Sequence, residues 1–466
     1  MVSFILNDKL ISTDSPQGMT LLDFVRYEKN LVGTKIGCRE GDCGACTVLI
    51  GELNDGKMEY KSVTSCITPL GNVSGKHVVS IEGLNMIELT PVQQAMVDEA
   101  GTQCGFCTVG FLVSFSGLCL SNKVISYEDV ISGIDGNICR CTGYKSIERA
   151  AERIYNNLKN KDLNNPVKWL VEQKFIPEYF ASIPERIKNI ESSNELMQSK
   201  IIVGGGTDLY VQKHDEMEDS EINFISNTKE FKGINIDGNV CTIGSASTVS
   251  ELMESIELKA LFPNLRKHLK LISSTQIRNI GTLAGNFINA SPIGDLTVFF
   301  IALKSSITFK NKANVERTIL LKDLYQGYKK LDKNEDEYIS YLQFTIPDSS
   351  THFNFEKVSK RTHLDIASVN TAVSIKIEAN IICEINLSAG GVGPIPLYLK
   401  NTCEFLKRKE LVMKNITAAI EIMQKEIAPI SDARGTEEYK RLLLRQLFFA
   451  HFLELFPATF NQEILA

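Results

Sequence analysis

Residues 37–48 read GCREGDCGACTV, and the gaps between Cys38, Cys43 and Cys46 decide how the first part of the chain folds. With Cys66 as a distant fourth thiol, C-x4-C-x2-C is a spacing that holds a 2Fe–2S cluster. Four thiolates must converge on two irons, so three come from one tight loop and one from elsewhere. Gly37, Gly41 and Gly44 open backbone angles that other residues avoid. They also remove side chains, so that N–H groups can point at the sulfurs and help set the reduction potential. A zinc site is the alternative. Zinc sites favour C-x2-C pairs, and an x4 gap interleaved with glycine is unusual among them.

Working outward, the flanking residues read as short strands with one helix. Phe4 to Leu6 and Lys9 to Ser12 flank Asn7-Asp8, a hairpin turn. Thr20-x-x-Asp23 resembles a capping box opening a helix that buries Leu21, Leu22 and Val25. A strand, Thr47 to Ile50, follows the cysteine loop.

From about Thr90 the period becomes helical. Thr90 caps a helix with Pro91 at its first position. A second helix is expected over Thr108 to Leu120, a third after Ser126-x-x-Asp129, and a fourth from Ser146 to near Lys159. Four short helices suggest a compact bundle. Cys104-Gly-Phe-Cys107 and Cys139-Arg-Cys141 lie at helix ends on this reading, where N–H groups favour an anionic cluster. Taken alone, these pairs suit a second 2Fe–2S cluster, zinc or a redox dithiol. Beside the first group, the cluster is the reading we carry forward. Cys119, Cys241, Cys383 and Cys403 read as structural.

Composition excludes several functions. The 466 residues are 43% hydrophobic, enough for several ordinary cores, and suggest two to four domains. Lys+Arg 50 against Asp+Glu 56 gives a net charge of −6, which argues against a nucleic-acid or anionic-membrane surface. The longest apolar run, Leu296 to Leu303, is too short to span a bilayer. The opening MVSFILNDKL lacks the pattern of a secretory leader. We therefore expect a cytoplasmic protein with no membrane and no nucleic-acid partner. Nine of the twelve cysteines fall in the first 141 residues, a clustering that suits metal binding or redox chemistry better than a secreted disulfide scaffold. The six histidines show no metal-ligand pattern and read as structural or surface residues.

Asn160 to Pro166 is polar and reads as a linker. Beyond it, Lys200 to Val203 is a strand leading into Gly204-Gly205-Gly206. A second glycine-punctuated stretch runs from Asn279 to Asp295. From about Ser349 strands are expected at Thr371 to Ile377 and Ile381 to Leu387, then helices. A glycine run after a strand lets the backbone approach a pyrophosphate. VGGGTD is not the G-x-G-x-x-G fingerprint, so no Rossmann domain is read here. By itself GGG better suits a flexible turn, and Asn286, Ser291 and Asp295 likewise suit a loop and a helix cap.

GCREGDCGACTV, TQCGFCTVG and NICRCTGY, in this order, resemble the iron–sulfur part of the xanthine oxidase / molybdenum hydroxylase family. VGGGTDL (203–209) and RNIGTLAGNFINASPIGD (278–295) resemble its two FAD-binding stretches. Lys357-x-Ser359-x-Arg361 with Asp365-Ile-Ala resembles its flavin-domain C-terminal motif. Residues 429–452, PISDARGTEEYKRLLLRQLFFAHF, resemble the end of bacterial small subunits of its xanthine dehydrogenase branch. The resemblance implies an α+β multidomain chain. It would have a β-grasp 2Fe–2S ferredoxin domain (1–80), a four-helix 2Fe–2S domain (81–160), a two-part α/β FAD-binding domain of PCMH-like type (167–347) and a C-terminal α+β domain (350–466).

It also implies the site residues. Cys38, Cys43, Cys46 and Cys66 would hold one cluster; Cys104, Cys107, Cys139 and Cys141 the other. FAD would meet Ile202, Val203, Gly204, Gly205, Gly206, Thr207, Asp208, Leu209, Ile272, Thr282, Leu283, Ala284, Gly285, Asn286, Asp295 and Lys357. Ile272 stands where the family often places an aromatic residue near the flavin ring, and an aliphatic side chain cannot stack in that way. Val109 stands where a proline is common. No catalytic side chain is implied. Molybdopterin would sit only on a larger partner subunit, in a hetero-oligomer with two copies of each, and NAD would accept the electrons. The activity implied is that of a xanthine dehydrogenase, hypoxanthine and xanthine to urate. The alternatives are the same subunit acting on an aldehyde, nicotinate or another purine, a stand-alone iron–sulfur flavin reductase, and a zinc-binding interaction protein.

Overall fold

The computed structural model describes residues 1–190, 201–362 and 364–460. Lys200, expected to head a strand, and residues 461–466 of the expected C-terminal domain lie outside that range. Two compact units divide the chain: Met1–Asn227 with Ser274–Gly281, and Thr228–Ser273 with Thr282–Ala466.

The first unit begins with two hairpins. β1 (Val2–Leu6) and β2 (Lys9–Thr13) pair across Asn7-Asp8, with Asn7 at φ 54°. β3 (Thr47–Asn54) and β4 (Lys57–Thr64) pair across Asp55-Gly56, both left-handed, the geometry that matches the twist of paired strands. β3 therefore runs four residues beyond its expected end. β5 (His77–Val79) lies parallel to β1 and antiparallel to β3, giving the order β2-β1-β5-β3-β4. α1 (Leu21–Asp23) continues into a wider turn, Phe24–Glu28. Thr20 Oγ1 caps it by accepting the Asp23 N–H. Leu21, Phe24 and Val25 pack with Phe4, Val48, Val63 and Val78, so helix and sheet share one core as a β-grasp.

α2 (Pro91–Asp98), α3 (Thr108–Cys119), α4 (Tyr127–Gly133) and α5 (Lys145–Asn157) follow. Thr90 and Ser126 form reciprocal capping boxes with Gln93 and Asp129. α5 starts one residue before Ser146, because Tyr144, at φ 69°, sets the entry angle of the chain. α3 is apolar on every side and accordingly buried, against β3 on one flank and α2 and α4 on others. Phe111, Phe115, Val130, Ile147 and Ile154 share its core. So do Leu170, Phe175, Phe180 and Ile183 from the stretch after the expected linker, and Cys119 lies in the same core. A short parallel pair, Ile201–Val203 with Ile222–Phe224, presents the triple glycine at its end.

Among the described residues the second unit holds two larger antiparallel sheets and a two-stranded pair, Tyr325–Gly327 with Lys330–Leu331. One has the order Glu316–Leu320, Ser306–Lys310, Tyr338–Thr345, Val240–Gly244, Ile234–Asp237. The other runs Thr351–Val358, Val369–Glu378, Ile381–Gly390, Leu397–Tyr398. The apolar run at 296–303 is the buried helix Asp295–Ala302 and packs on two strands of the second sheet. Phe299 meets Phe262, Phe300 and Phe353 edge-on or tilted, an arrangement worth about 0.5–1.5 kcal/mol per pair beyond area burial. Among the described residues no helix is long and apolar enough to cross a membrane. His268 and His451 are buried and joined through Asn354, with Thr371 on the far side of His451. Burial holds their pKa values down to about 4 and about 3, as suits uncharged structural residues.

Candidate redox centres

The loop after α1 gathers three of the first four thiols, and the turn Ser65–Ile67 after β4 delivers Cys66. Cys46 and Cys66 are buried, Cys38 and Cys43 half-buried. Cys38 lies in hydrogen-bonding reach of Cys43 and Cys66, and Cys46 of Cys66. Backbone N–H groups converge on the sulfurs: those of Glu40 and Cys43 donate to Cys38 Sγ (3.4 and 3.3 Å), and that of Cys38 donates to Cys43 Sγ (3.4 Å). A β-carbon on Gly37 would fall 2.5 Å from Cys43 Sγ, so this approach requires glycine.

These contacts split the thiols. Hydrogen bonds from Cys43 and Cys66 draw Cys38 below the ordinary thiol range, and one from Cys66 draws Cys46 down. Sharing a proton with Cys38, and burial, push Cys43 and Cys66 up. Four thiols this close cannot all ionise unless cations sit between them, and two ferric ions supply that charge. The donor set therefore fits a 2Fe–2S cluster.

The second quartet forms where the chain enters α3 and approaches α5. Cys107 is the N-cap of α3, while Cys139 and Cys141 lie in the loop before Tyr144. Cys104 and Cys141 are exposed, with their sulfurs 3.8 Å apart. Cys107 and Cys139 lie in hydrogen-bonding reach of each other. Burial, then the hydrogen bond with Cys139, pushes Cys107 up to about 12. Cys139 also feels burial, yet its hydrogen bonds win and lower it. They come from the Thr142 hydroxyl at 3.1 Å and from the Thr142 and Cys141 amides at 3.5 Å. The Tyr144 hydroxyl accepts the Cys139 N–H at 3.0 Å, tying the helix entry to the thiol loop.

One hydrogen bond links the quartets: the Ile138 N–H donates to the Cys43 carbonyl at 3.0 Å, one residue before Cys139. Around it lies a buried polar network for which sequence motifs gave no role. Asn137 Nδ2 donates to the Gly44 carbonyl and Thr47 Oγ1. Gln276 Nε2 donates to Asn137 Oδ1, Ser114 Oγ and the Gly133 carbonyl. Arg278 pairs with Asp135 at 2.6 Å, with side chains 1% and 4% exposed. Asn137 and Arg278 lie inside the quoted motifs, but nothing local reveals their partners.

The flavin-motif residues fall in both units. In the first, Ile202 and Val203 are in the strand, and Gly204, Gly205, Gly206, Thr207 and Asp208 form the turn ahead of Leu209–Gln212. Asn72 Nδ2 donates to the Gly204 carbonyl. Gly206, at φ 83°, turns the chain two residues ahead of right-handed Asp208. Tyr210 anchors it by donating to the Gly18 carbonyl. In the second unit, Thr282 caps Leu283–Ile288 by accepting the Gly285 N–H. The Leu283 and Ala284 amides bond to the Ser247 and Ser245 carbonyls. Asn286 Oδ1 accepts from Thr297. Lys357 Nζ donates to Asp295 at 2.7 Å and to the Leu271 carbonyl beside Ile272, and Asn370 completes the Asp295 carboxylate. Ile272 is buried. The expected flavin residues thus lie on a glycine turn in the first unit and, in the second, on polar groups bonded within the protein.

Known families match in register with this geometry. Residues 4–71 match the 2Fe-2S iron-sulfur cluster binding domain and 80–152 the [2Fe-2S] binding domain. Residues 181–348 match the FAD binding domain in molybdopterin dehydrogenase, and 355–455 the CO dehydrogenase flavoprotein C-terminal domain. Xanthine dehydrogenase 1 of Arabidopsis thaliana is 28% identical, over 93% of this chain and 38% of its own length. Xanthine dehydrogenase/oxidase of Rattus norvegicus is 25% identical over 97% and 39%. The chain thus spans about two fifths of the length of these relatives. Two solved structures share the fold. A carbon monoxide dehydrogenase from Hydrogenophaga pseudoflava has a TM-score of 0.52 and 23% identity, over 56% of this chain and 90% of that one. Quinoline 2-oxidoreductase from Pseudomonas putida has a TM-score of 0.50 and 19% identity over the same shares. Because the four matches follow one another along the chain, one on each cysteine group, one over both flavin stretches and one from the Lys357 motif onward, the chain belongs to the molybdenum hydroxylase family, as an oxidoreductase component with two 2Fe–2S domains and an FAD-binding domain.

Proposed function

We propose that this chain is the electron-transfer subunit of a xanthine dehydrogenase. Electrons from hypoxanthine or xanthine, oxidised on a larger molybdopterin-bearing partner, would pass to the Cys104, Cys107, Cys139 and Cys141 centre, then to the Cys38, Cys43, Cys46 and Cys66 centre, and on to FAD and NAD. The observation that carries this reading is the Ile138 N–H to Cys43 carbonyl bond, which joins the two quartets by one hydrogen bond and one residue. Relatives named xanthine dehydrogenase along nearly the whole chain support the substrate. The flavin, when bound, supplies the exchange between single electrons and a hydride pair.

The chain's own residues position these groups. The exposed Cys104 and Cys141 present the second centre at the surface, where a partner can approach it. Enclosed Cys46 and Cys66 keep water from the first. The flavin contacts expected at 202–209 in the first unit and at Ile272, 282–286, Asp295 and Lys357 in the second belong to the same proposal. No side chain needs to move a proton. The divisions at 1–80, 81–160, 167–347 and 350–466, a cytoplasmic location and two copies of each subunit belong to the same proposal.

The test is native purification with iron, flavin and molybdenum analysis, followed by xanthine-dependent NAD reduction. Co-purification with a molybdenum protein, about four irons and one flavin per chain, and NADH formation are expected. Full cofactors with turnover only of an aldehyde or nicotinate would overturn the substrate. NADH-dependent dye reduction by a chain without any molybdenum partner would overturn the subunit reading.

A further inference from the structure

We propose that the Arg39–Asp23 ion pair positions the first iron–sulfur centre: it holds Arg39 in a left-handed turn that aims the Glu40 N–H at Cys38 Sγ, and thereby raises that centre's reduction potential. The inference rests on the reading that Cys38, Cys43, Cys46 and Cys66 hold a 2Fe–2S cluster.

Arg39 sits inside the ligand loop, one residue past Cys38. Its φ is 58°, left-handed like Gly41 (79°) and Gly44 (67°) in the same loop. Glycine takes that conformation at no steric cost, whereas a β-carbon crowds the following carbonyl oxygen. A side-chain-bearing residue persists there only when its surroundings hold it. The far end of the Arg39 side chain does so. Nη1 donates to Asp23 Oδ2 at 2.9 Å and Nη2 donates to Oδ1 at 2.7 Å, a two-pronged pair with one geometry. The carboxylate is itself fixed, because the Thr20 hydroxyl donates to Asp23 Oδ2 at 2.7 Å. Leu22, the residue before Asp23, packs in the core that contains Cys46 and Cys66, so the pair is anchored to the same body as the ligands.

The turn acts directly on a sulfur. After a left-handed residue the chain doubles back, and the N–H two positions past Cys38 returns to its side chain. The Glu40 N–H donates to Cys38 Sγ at 3.4 Å, beside the Cys43 N–H at 3.3 Å. If Arg39 relaxed to an extended or right-handed φ, the planar 39–40 peptide would swing as one piece and carry the Glu40 N–H away from the sulfur. An N–H on a ligand sulfur stabilises the more negative, reduced cluster. The second quartet receives its hydrogen bonds from Thr142 and Cys141, outside this turn.

Arg39→Gly and Arg39→Ala lose the same charge, but only glycine keeps the left-handed turn freely, so the difference between the two reads the backbone alone. The measurement is a redox titration of the purified full chain, or of its complex, followed by electron paramagnetic resonance of both centres, with iron content alongside. At fixed potential the reduced-to-oxidised ratio of the first centre in Arg39→Ala should be about tenfold below that in Arg39→Gly, equivalent to about 59 mV for a one-electron couple. Asp23→Ala should also lower the first centre, although losing a nearby negative charge would by itself favour the reduced state. The second centre should stay in place in all three variants, and iron should remain at about four per chain. If Arg39→Ala does not hold iron, Asp23→Ala alone decides. Equal first-centre potentials in the Arg39→Gly and Arg39→Ala chains, no fall in Asp23→Ala, or the same shift in both centres overturns the proposal. A wild-type chain that shows no 2Fe–2S signal overturns the cluster reading instead.

Discussion

The two thiol quartets are built from the same four ligands in opposite settings. The first is laced by backbone amides and lies between a β-grasp sheet and the polar network of Asn137 and Gln276. Two of its sulfurs are buried. The second opens to the surface through Cys104 and Cys141, and its only buried thiol, Cys139, leans on one hydroxyl and two amides. The contrast teaches that ligand count sets what is bound, while the surrounding dipoles and exposure set how tightly each centre is coupled to the fold.

Substituting ligands would break the comparison most directly. Cys66→Ala and Cys104→Ala should each lower iron from about four to about two per chain. Only Cys66→Ala, whose side chain packs with Leu22, Val203 and Tyr210, should also lower the thermal midpoint markedly. Equal midpoints for the two variants would erase the distinction. Asp135→Ala comes next. It removes the carboxylate 2.6 Å from the buried Arg278 guanidinium and should cost about 3–5 kcal/mol in denaturant unfolding of the first unit. The smallest expected effect is that of Thr142→Val. Losing the 3.1 Å hydroxyl bond to Cys139 should remove about 1 kcal/mol of stabilisation from the reduced second centre, read as a fall in that centre's potential alone. A shift in the first centre instead would mean that the two are not separately tuned.

Much of this was legible in the sequence because it is local. The thiol spacings, the caps at Thr20, Thr90 and Ser126, and the Asn7-Asp8 turn each depend on residues within a few positions of one another. The full length of β3 was also locally encoded, by Asp55-Gly56. The start of α5 was less so. Tyr144 takes a left-handed angle that a bulky residue rarely adopts, and its hydroxyl bond to the Cys139 amide helps hold it there. The Gln276–Asn137 and Arg278–Asp135 pairs bridge about 140 positions and leave no periodic or spacing signal. Family resemblance located the stretch that contains Arg278 but could not say that it ends as a buried ion pair.

Residues 274–281 belong to the first unit although the chain has by then already entered the second. On the ribosome this imposes an order of assembly. When residue 227 emerges, Asp135 and Asn137 have been synthesised but Arg278 and Gln276 have not, so the nascent first unit carries the Asp135 carboxylate without the guanidinium it pairs with in the finished fold. Its completion must wait some fifty codons. A translational pause or a stop placed in that interval would leave a half-finished core for chaperones to hold, and the same threading means that a single protease cut after residue 227 would split the first unit, leaving residues 274–281 on the other fragment.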